Sequence, residues 1–516
     1  MSERNGLRVN RALPPCAVGS RFQDLLVTGL LNILVLLVTA CWGLPLRGAQ
    51  ENPSVAIPPR IPEYVGHQKK LLFSNQQDIA DPWGALHFNV TPVRLIREVE
   101  APAFTVVRGF PLADGTWEVF GQQLEQGGRG KESFEETNAW KLIRVITRDG
   151  FTFENLETVI EQPAGAWTQH AAMAYNPDAK EYLLLKLRMD SYGFAYTAFF
   201  SSDGKRWQAH AGNPLFYDGD AMSLFYSPVL RRFVCVSKSL QPHRKHIRDH
   251  GGSTKALGDD SWRDRRVLML RSSADGRRWE PSVSLPDVWD RHGQKGAHPP
   301  GFLTVPDADD PPDLEFYSGN GFWYHDRAYM MVLNYAASPL AARKHAPHLD
   351  NEWWTSADGL RWERPSRGLN ALEAFPQVPR LETPPMILGG NLLWLRGNQL
   401  LGLSEDRISC VSARANGELS TSAFKMPAED PLLNAAVPSP ERAFAKEQAY
   451  VMVAVLDDRG QVVPGFEAEK CVIQNEDRRD IQLKWGDASA CQLAGKTIRL
   501  RFFLRSANIY AVTFGK

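Results

Sequence analysis

Three stretches of this chain carry the same short signature, Asp-Gly-x-x-Trp after a serine. They are Ser202-Asp203-Gly204-Lys205-Arg206-Trp207, Ser273-Ala274-Asp275-Gly276-Arg277-Arg278-Trp279 and Ser356-Ala357-Asp358-Gly359-Leu360-Arg361-Trp362. A weaker fourth copy is Asp149-Gly150-Phe151-Thr152-Phe153, with Phe in the Trp place. Each follows a stretch of strand character: Trp140 to Thr147, Tyr196 to Ser201, Arg266 to Ser272 and Trp353 to Ser356. Asp-Gly supplies a turn that needs φ > 0, and the aromatic residue after it packs back on the blade of sheet it closes.

From Asp149 to Asp203 is 54 residues, from there to Asp275 is 72, and from there to Asp358 is 83. Every interval is long enough for a four-stranded unit, which is the pattern of repeated blades. The two longer ones hold insertions, His243 to Asp264 and Asp287 to Pro312. A further strand set, Phe104 to Phe120 with Asp114-Gly115-Thr116-Trp117, brings the count to five. Residues 66–430 are therefore expected to form a five-bladed β-propeller, with six blades as the alternative. Residues 431–516 differ in kind. Short alternating strands (Tyr450 to Leu456, Val462 to Phe466, Ile481 to Trp485, Thr497 to Leu504, Ile509 to Phe514) predict a jelly-roll-like β-sandwich. The fold class is all-β. The 15 Trp, 40 Gly and 35 Pro suit a turn-rich chain of this class.

Lys+Arg and Asp+Glu are both 59, so the net charge is zero, and 43% of residues are hydrophobic. This is a folded chain, and it lacks the broad basic surface of a nucleic-acid binder. The six cysteines are scattered, with no CxxC pair. Cys471 and Cys491 are a potential disulfide in an oxidising compartment, or two separate thiols. Arg8, Arg11 and Arg21 precede an uncharged stretch from Leu25 to Leu46, which reads as an export signal, a membrane-spanning signal anchor, or, through Val38-Thr39-Ala40-Cys41, a lipid-attachment signal. Residues 1–50 are the leader or anchor, and residues 51–65, with four prolines, a linker. The expected location is exported: periplasmic, secreted, or held at the cell surface by a membrane or lipid anchor.

Together these pieces resemble the exported, planctomycete-type five-bladed propeller proteins related to glycoside hydrolase families 32 and 43. The resemblance is carried by the Asp-Gly turns, by Gly219-Asp220-Ala221-Met222-Ser223-Leu224-Phe225-Tyr226-Ser227-Pro228, and by Leu314-Glu315-Phe316-Tyr317-Ser318-Gly319. In the tail it is carried by Leu456-Asp457, Pro464-Gly465-Phe466, Leu493-Ala494-Gly495-Lys496 and Arg499-Leu500-Arg501-Phe502. It implies a carbohydrate partner, no cofactor, and acids on innermost strands facing the propeller axis.

Cleaving a glycosidic bond usually takes two carboxyl groups, one donating a proton to the leaving oxygen and one acting as nucleophile or base. Asp220, just before the apolar run Ala221 to Tyr226, and Glu315, entering Phe316-Tyr317, are the candidate pair, with Glu315 as general acid. The resemblance implies a third acid, for which Asp78, Asp81 and Asp114 are open. Where relatives often read Asp-Pro, this chain reads Ser227-Pro228. His170, Trp167, Tyr317 and Trp323 are the candidate sugar-binding residues, since an aromatic ring stacks on the apolar face of a pyranose. Trp353-Trp354 reads more readily as packing. Asp203, Asp275 and Asp358 are expected to be structural, because a carboxylate at a hairpin tip caps local N–H groups. His243, His246 and His250 are spaced for one helical face but lie among charges that favour a solvated loop, so no metal is assigned. The function expected is glycoside hydrolysis of a poly- or oligosaccharide. The alternative is a non-catalytic glycan-binding or scaffold propeller, and a sialidase-like enzyme is a weaker third.

Overall fold

The computed structural model describes residues 70–125, 139–162, 168–190, 193–242, 264–281, 303–304, 306–307, 309–311, 314–336, 349–372, 381, 383–439 and 448–515. The leader and linker, Trp167, the 243–250 histidines and most of the 287–312 insertion lie outside these residues. Among the described residues no helix is long and apolar enough to cross a membrane.

Five antiparallel sheets follow one another along the chain. Blade 1 is Thr105–Pro111, Trp117–Glu125, Ala139–Thr147 and Glu154–Gln162. Blade 2 is Thr168–Asn176, Glu181–Asp190 and Gly193–Ser201, with short outer strands Gln208–Ala209 and Phe216–Asp218. Blade 3 is Met222–Ser227, Arg232–Pro242, Asp264–Ser273 and Leu303–Thr304. Blade 4 is Leu314–Tyr324, Arg327–Ala336 and Leu349–Ser356. Blade 5 is Met386–Leu388, Asn391–Arg396 and Gln399–Ser404, and its fourth strand is Arg94–Glu98, taken from before blade 1.

Five separate apolar clusters fill the five seams, which is what makes the arrangement a closed ring. Phe110 and Phe120 meet Tyr182 and Leu184 between blades 1 and 2, and Leu185 and Tyr196 meet Leu224 and Cys235 between blades 2 and 3. Phe225 and Val236 meet Phe316 and Trp354 between blades 3 and 4, and Phe322 and Trp353 meet Trp394 and Leu401 between blades 4 and 5. Val106 and Trp117 meet Met386 and Leu395 between blades 1 and 5. The count of five was legible in sequence, but its members differ: Phe104 to Phe120 and the Asp149 turn belong to one blade, and the fifth is residues 386–404 closed by Arg94–Glu98.

The Asp-Gly signature ends the third strand of blades 1 to 4. In each turn the aspartate Oδ1 accepts two backbone N–H groups, for example Lys205 and Arg206 onto Asp203 at 2.9 and 2.8 Å. The strand's last hydroxyl, that of Ser201, Ser273, Ser356 or Thr147, accepts the glycine N–H. The glycines sit at φ +72 to +87, left-handed backbone that a side chain disfavours. The tryptophan does not fold onto its own blade alone but reaches the seam with the blade before. Trp279 packs edge-on to Phe216 at 5.7 Å, and Trp362 to Phe225 at 6.2 Å.

The tail strands Tyr450–Leu456, Glu476–Gln482 and Thr497–Phe514 surround one core that includes Leu433, Val453, Trp485, Leu500 and Phe502. Their nine-stranded hydrogen-bonded network also takes in Lys70–Leu72, Ile79–Val90 and Ser409–Thr421, so this sheet begins well before residue 431. The 18-residue strand Thr497–Phe514 joins its halves. Cys471 is buried and Cys491 half-buried, and both are free thiols.

Candidate functional site

Innermost strands enter the ring from one end. Asp220 lies two residues before the first strand of blade 3, and Glu315 is the second residue of the first strand of blade 4. The Asp-Gly turns are at the other end. In blade 4, Glu315 pairs with Tyr335 and Tyr335 with Leu349, and the strand beginning there runs on to Ser356, about 23 Å away at the usual rise per residue. The turn aspartates are thus remote from both acids.

Asp220 and Glu315 belong to one cluster in the seam between blades 3 and 4. Lys238, on the second strand of blade 3, ion-pairs with Asp220, and its ammonium lies 4.5 Å from the centre of the Tyr317 ring. Arg266, on the third strand of blade 3, donates to Glu315 Oε2 at 2.6 Å and lies 5.4 Å from the same ring. Tyr335 closes the group, 4.9 Å from Arg266 and 6.1 Å ring to ring from Tyr317. The cation that holds each carboxylate thus lies against the Tyr317 ring. Burial works against the Arg266 charge, but the bond to Glu315 prevails and raises its pKa above the ordinary value. Glu315 is only 3% exposed, whereas the Asp220 side chain is 27% exposed.

The loop bearing Asp220 is pinned from below. Gly219 N–H donates to the Lys238 carbonyl and Lys238 N–H to that of Ala221, both at 2.8 Å, and Tyr196 donates to the Gly219 carbonyl at 2.7 Å. Asp218, its side chain buried, accepts from Ser237 Oγ at 2.6 Å and lies 3.5 Å from Arg271. Burial pushes its carboxyl above the ordinary value, opposed by Arg271 and by the Ser237 and Ser239 hydroxyls.

The other expected residues separate. His170 is half-buried near the start of the first strand of blade 2, where the register skips from Thr168 to Ala171. Trp323, expected to meet sugar, instead lies in the seam core at 2% exposure, its indole N–H donating to the His325 carbonyl at 2.8 Å. Trp353 and Trp354 are interior as well. Of the three open acids, Asp78 caps a short 3₁₀ turn and pairs with Arg327 at 2.7 Å, Asp81 lies on the tail sheet near Arg499, and Asp114 holds the Thr116 turn. Sequence reasoning missed Lys238, Arg266 and Tyr335. Their signal was a polar or aromatic residue near the open end of an otherwise apolar strand.

Among the described residues, His325, Glu405 and Asp406 have ligand atoms within 4.8 Å of one another. Lys70 already supplies the positive charge there, 2.8 Å from Asp406 and 3.6 Å from Glu405, and the Tyr324 hydroxyl donates to Asp406 at 2.5 Å. This group reads as a half-buried ion-pair network. A separate cavity of about 210 Å³ lies between blades 5 and 1, lined by Phe104, Thr105, Leu381, Thr383, Trp394 and Arg396.

No family model matches the sequence, and no curated protein does. Among solved structures the chain is similar to a β-fructofuranosidase from Schwanniomyces occidentalis, at 8% identity over 82% of this chain and 97% of that one, with a TM-score of 0.34. It is similar to an exo-β-1,3-galactanase from Phanerochaete chrysosporium, at 8% identity over 82% and 100%, with a TM-score of 0.34. It is similar also to a glycosyl hydrolase from Bacteroides ovatus, at 12% identity over 70% and 96%, with a TM-score of 0.35. The five-bladed ring itself rests on the strand order and the five filled seams of this chain.

Proposed function

We propose that the chain is a glycoside hydrolase-like protein acting on a poly- or oligosaccharide, with Asp220 and Glu315 as its carboxyl pair and Tyr317 as the surface on which a sugar ring rests. The observation that supports this most is that two acids from adjacent blades are held by two cations that both lie against one tyrosine ring. In this reading Glu315 gives its proton to the leaving oxygen, and Asp220 attacks the anomeric carbon or takes a proton from the attacking water. Before it can give a proton, Glu315 must take one up from solvent and exchange its bond to Arg266 for one to the substrate oxygen. Export through the segment Leu25 to Leu46 belongs to the same reading, and cell fractionation tests it.

A second reading, glycan binding without hydrolysis, is favoured by the cation on each acid. One experiment separates the two. The protein is incubated with a panel of plant and algal glycans, beside Asp220→Asn and Glu315→Gln, and released sugar and calorimetric binding are both measured. Hydrolysis predicts sugar release by the wild type and a loss of about a hundredfold or more in each variant, the scale of one acid–base group. A variant that releases as much as wild type overturns the assignment of the acids. Binding that Tyr317→Ala abolishes, with no sugar released by wild type, selects the second reading.

A further inference from the structure

Outside the five blades, the outward face of the tail sheet carries a row of side chains with an exposed tryptophan at one end and the half-buried Glu418, Phe503 and Met452 after it. Trp83 is 66% exposed. It pairs with Glu418, Glu418 with Phe503, and Phe503 with Met452, so these four side chains form one row across four strands. The intervening residues Leu419, Phe502 and Leu504 point the other way and fill the core. Beside the row stand two charge pairs, Arg501 with Glu418 and Arg499 with Asp81 at 3.6 Å, and the Arg501 guanidinium lies 5.8 Å from the Phe503 ring.

The backbone is arranged to hold Trp83 outward. The register slips on both sides of it, between Ala80 and Trp83 and between Gly84 and Leu86. Gly84 has φ +83, and a Cβ there would collide with the Asn416 carbonyl, so only glycine lets the strand approach this closely.

We propose that this face is a second carbohydrate-binding surface, for an uncharged polysaccharide chain. Trp83 and Phe503 are two strands apart, about 10 Å, a span of roughly a disaccharide, and the C–H face of a hexose stacks on an indole. The charge pairs neutralise one another, leaving guanidinium donors and carboxylate acceptors beside the rings. That mixture matches hydroxyl groups, which both give and take hydrogen bonds, and has no preference for an anion. Four charged side chains around the row also oppose burial in a bilayer. The proposal does not depend on Asp220 or Glu315.

The test is native electrophoresis of the full chain through gels containing xylan, laminarin or galactomannan, with polygalacturonate and a sulfated galactan as acidic controls. At least one neutral polysaccharide is expected to retard the wild type. Trp83→Ala is expected to weaken that retardation at least tenfold, Trp83→Phe to keep part of it, and Asp220→Asn to keep all of it. Because Trp83 is two-thirds exposed, Trp83→Ala is expected to melt with the wild type. The proposal fails if no neutral gel retards the chain, if Trp83→Ala and wild type run alike, or if only the acidic gels retard it. It fails also if Asp220→Asn loses the retardation, which assigns the glycan to the blade seam, or if the only effect of Trp83→Ala is loss of a dimer by sedimentation, which assigns the face to a second copy.

Discussion

Replacing Trp279 with alanine tests whether the Asp-Gly turns hold the ring together or merely decorate its rim. The Trp279 indole is 6% exposed, stands edge-on to Phe216 of blade 2, and donates its N–H to the Gly276 carbonyl at 3.0 Å. Truncating a buried Trp costs about 4 kcal/mol, and the lost hydrogen bond is worth about 1 kcal/mol within that figure. Trp207, whose ring is only half-buried, is expected to cost less. Guanidinium unfolding at pH 7, followed by circular dichroism, reads both losses. Crossing Trp279→Ala with Phe216→Ala isolates the contact across the seam, for which about 1 kcal/mol of coupling is expected. A loss below about 1 kcal/mol for Trp279→Ala, or additive behaviour in the cross, refutes the idea that these turns pin each blade to the one before.

Acid should loosen the same turns. Burial alone would raise the Asp149, Asp203 and Asp275 carboxyls, but the backbone N–H groups that each accepts outweigh it and hold all three below the ordinary value. A depressed folded pKa contributes stability that is complete above the unfolded value, about 4, and is lost as pH falls through the folded one. The triple Asp→Asn variant should therefore be less stable than wild type at pH 7 and lose less stability below pH 4. Parallel slopes in acid urea titrations would show that the carboxylates contribute nothing of the kind. Thiol labelling offers a second check. Burial raises the Cys235 thiol strongly, Cys410 to about 11 and Cys471 to about 12, so of the four cysteines described only Cys491 is expected to alkylate in the native protein at pH 8. Peptide mapping that finds Cys235 or Cys471 labelled first would mean that these cores open readily.

What the sequence made legible is what the chain does locally. A turn of six or seven residues carries its own hydrogen bonds, so the Asp-Gly copies announced four blades without knowledge of their neighbours. Blade 5 was silent because its third strand needs no tight turn into a fourth, which comes from Arg94–Glu98 some 300 residues earlier. The pairing of Ile79–Val90 with Ser409–Thr421 was hidden for the same reason. At the site, Asp220 and Glu315 could be found because each enters an apolar strand. Their counter-charges could not, since Lys238 reaches Asp220 only once the first two strands of blade 3 pair, and Arg266 reaches Glu315 only once blades 3 and 4 face each other. Trp323 looked like a sugar platform because exposure, not residue type, decides that role.

The last strand described, Thr497–Phe514, hydrogen-bonds to the first, Lys70–Leu72, and the ring is shut by Arg94–Glu98 joining Gln399–Ser404. The molecule is therefore laced at both ends. A growing chain can assemble blades 1 to 4 in turn, yet Arg94–Glu98 must wait for Gln399–Ser404 and Lys70–Leu72 for Thr497–Phe514. Nascent chains halted before residue 497 should stay sensitive to protease in the region of residues 70–72, however well their middle blades have formed.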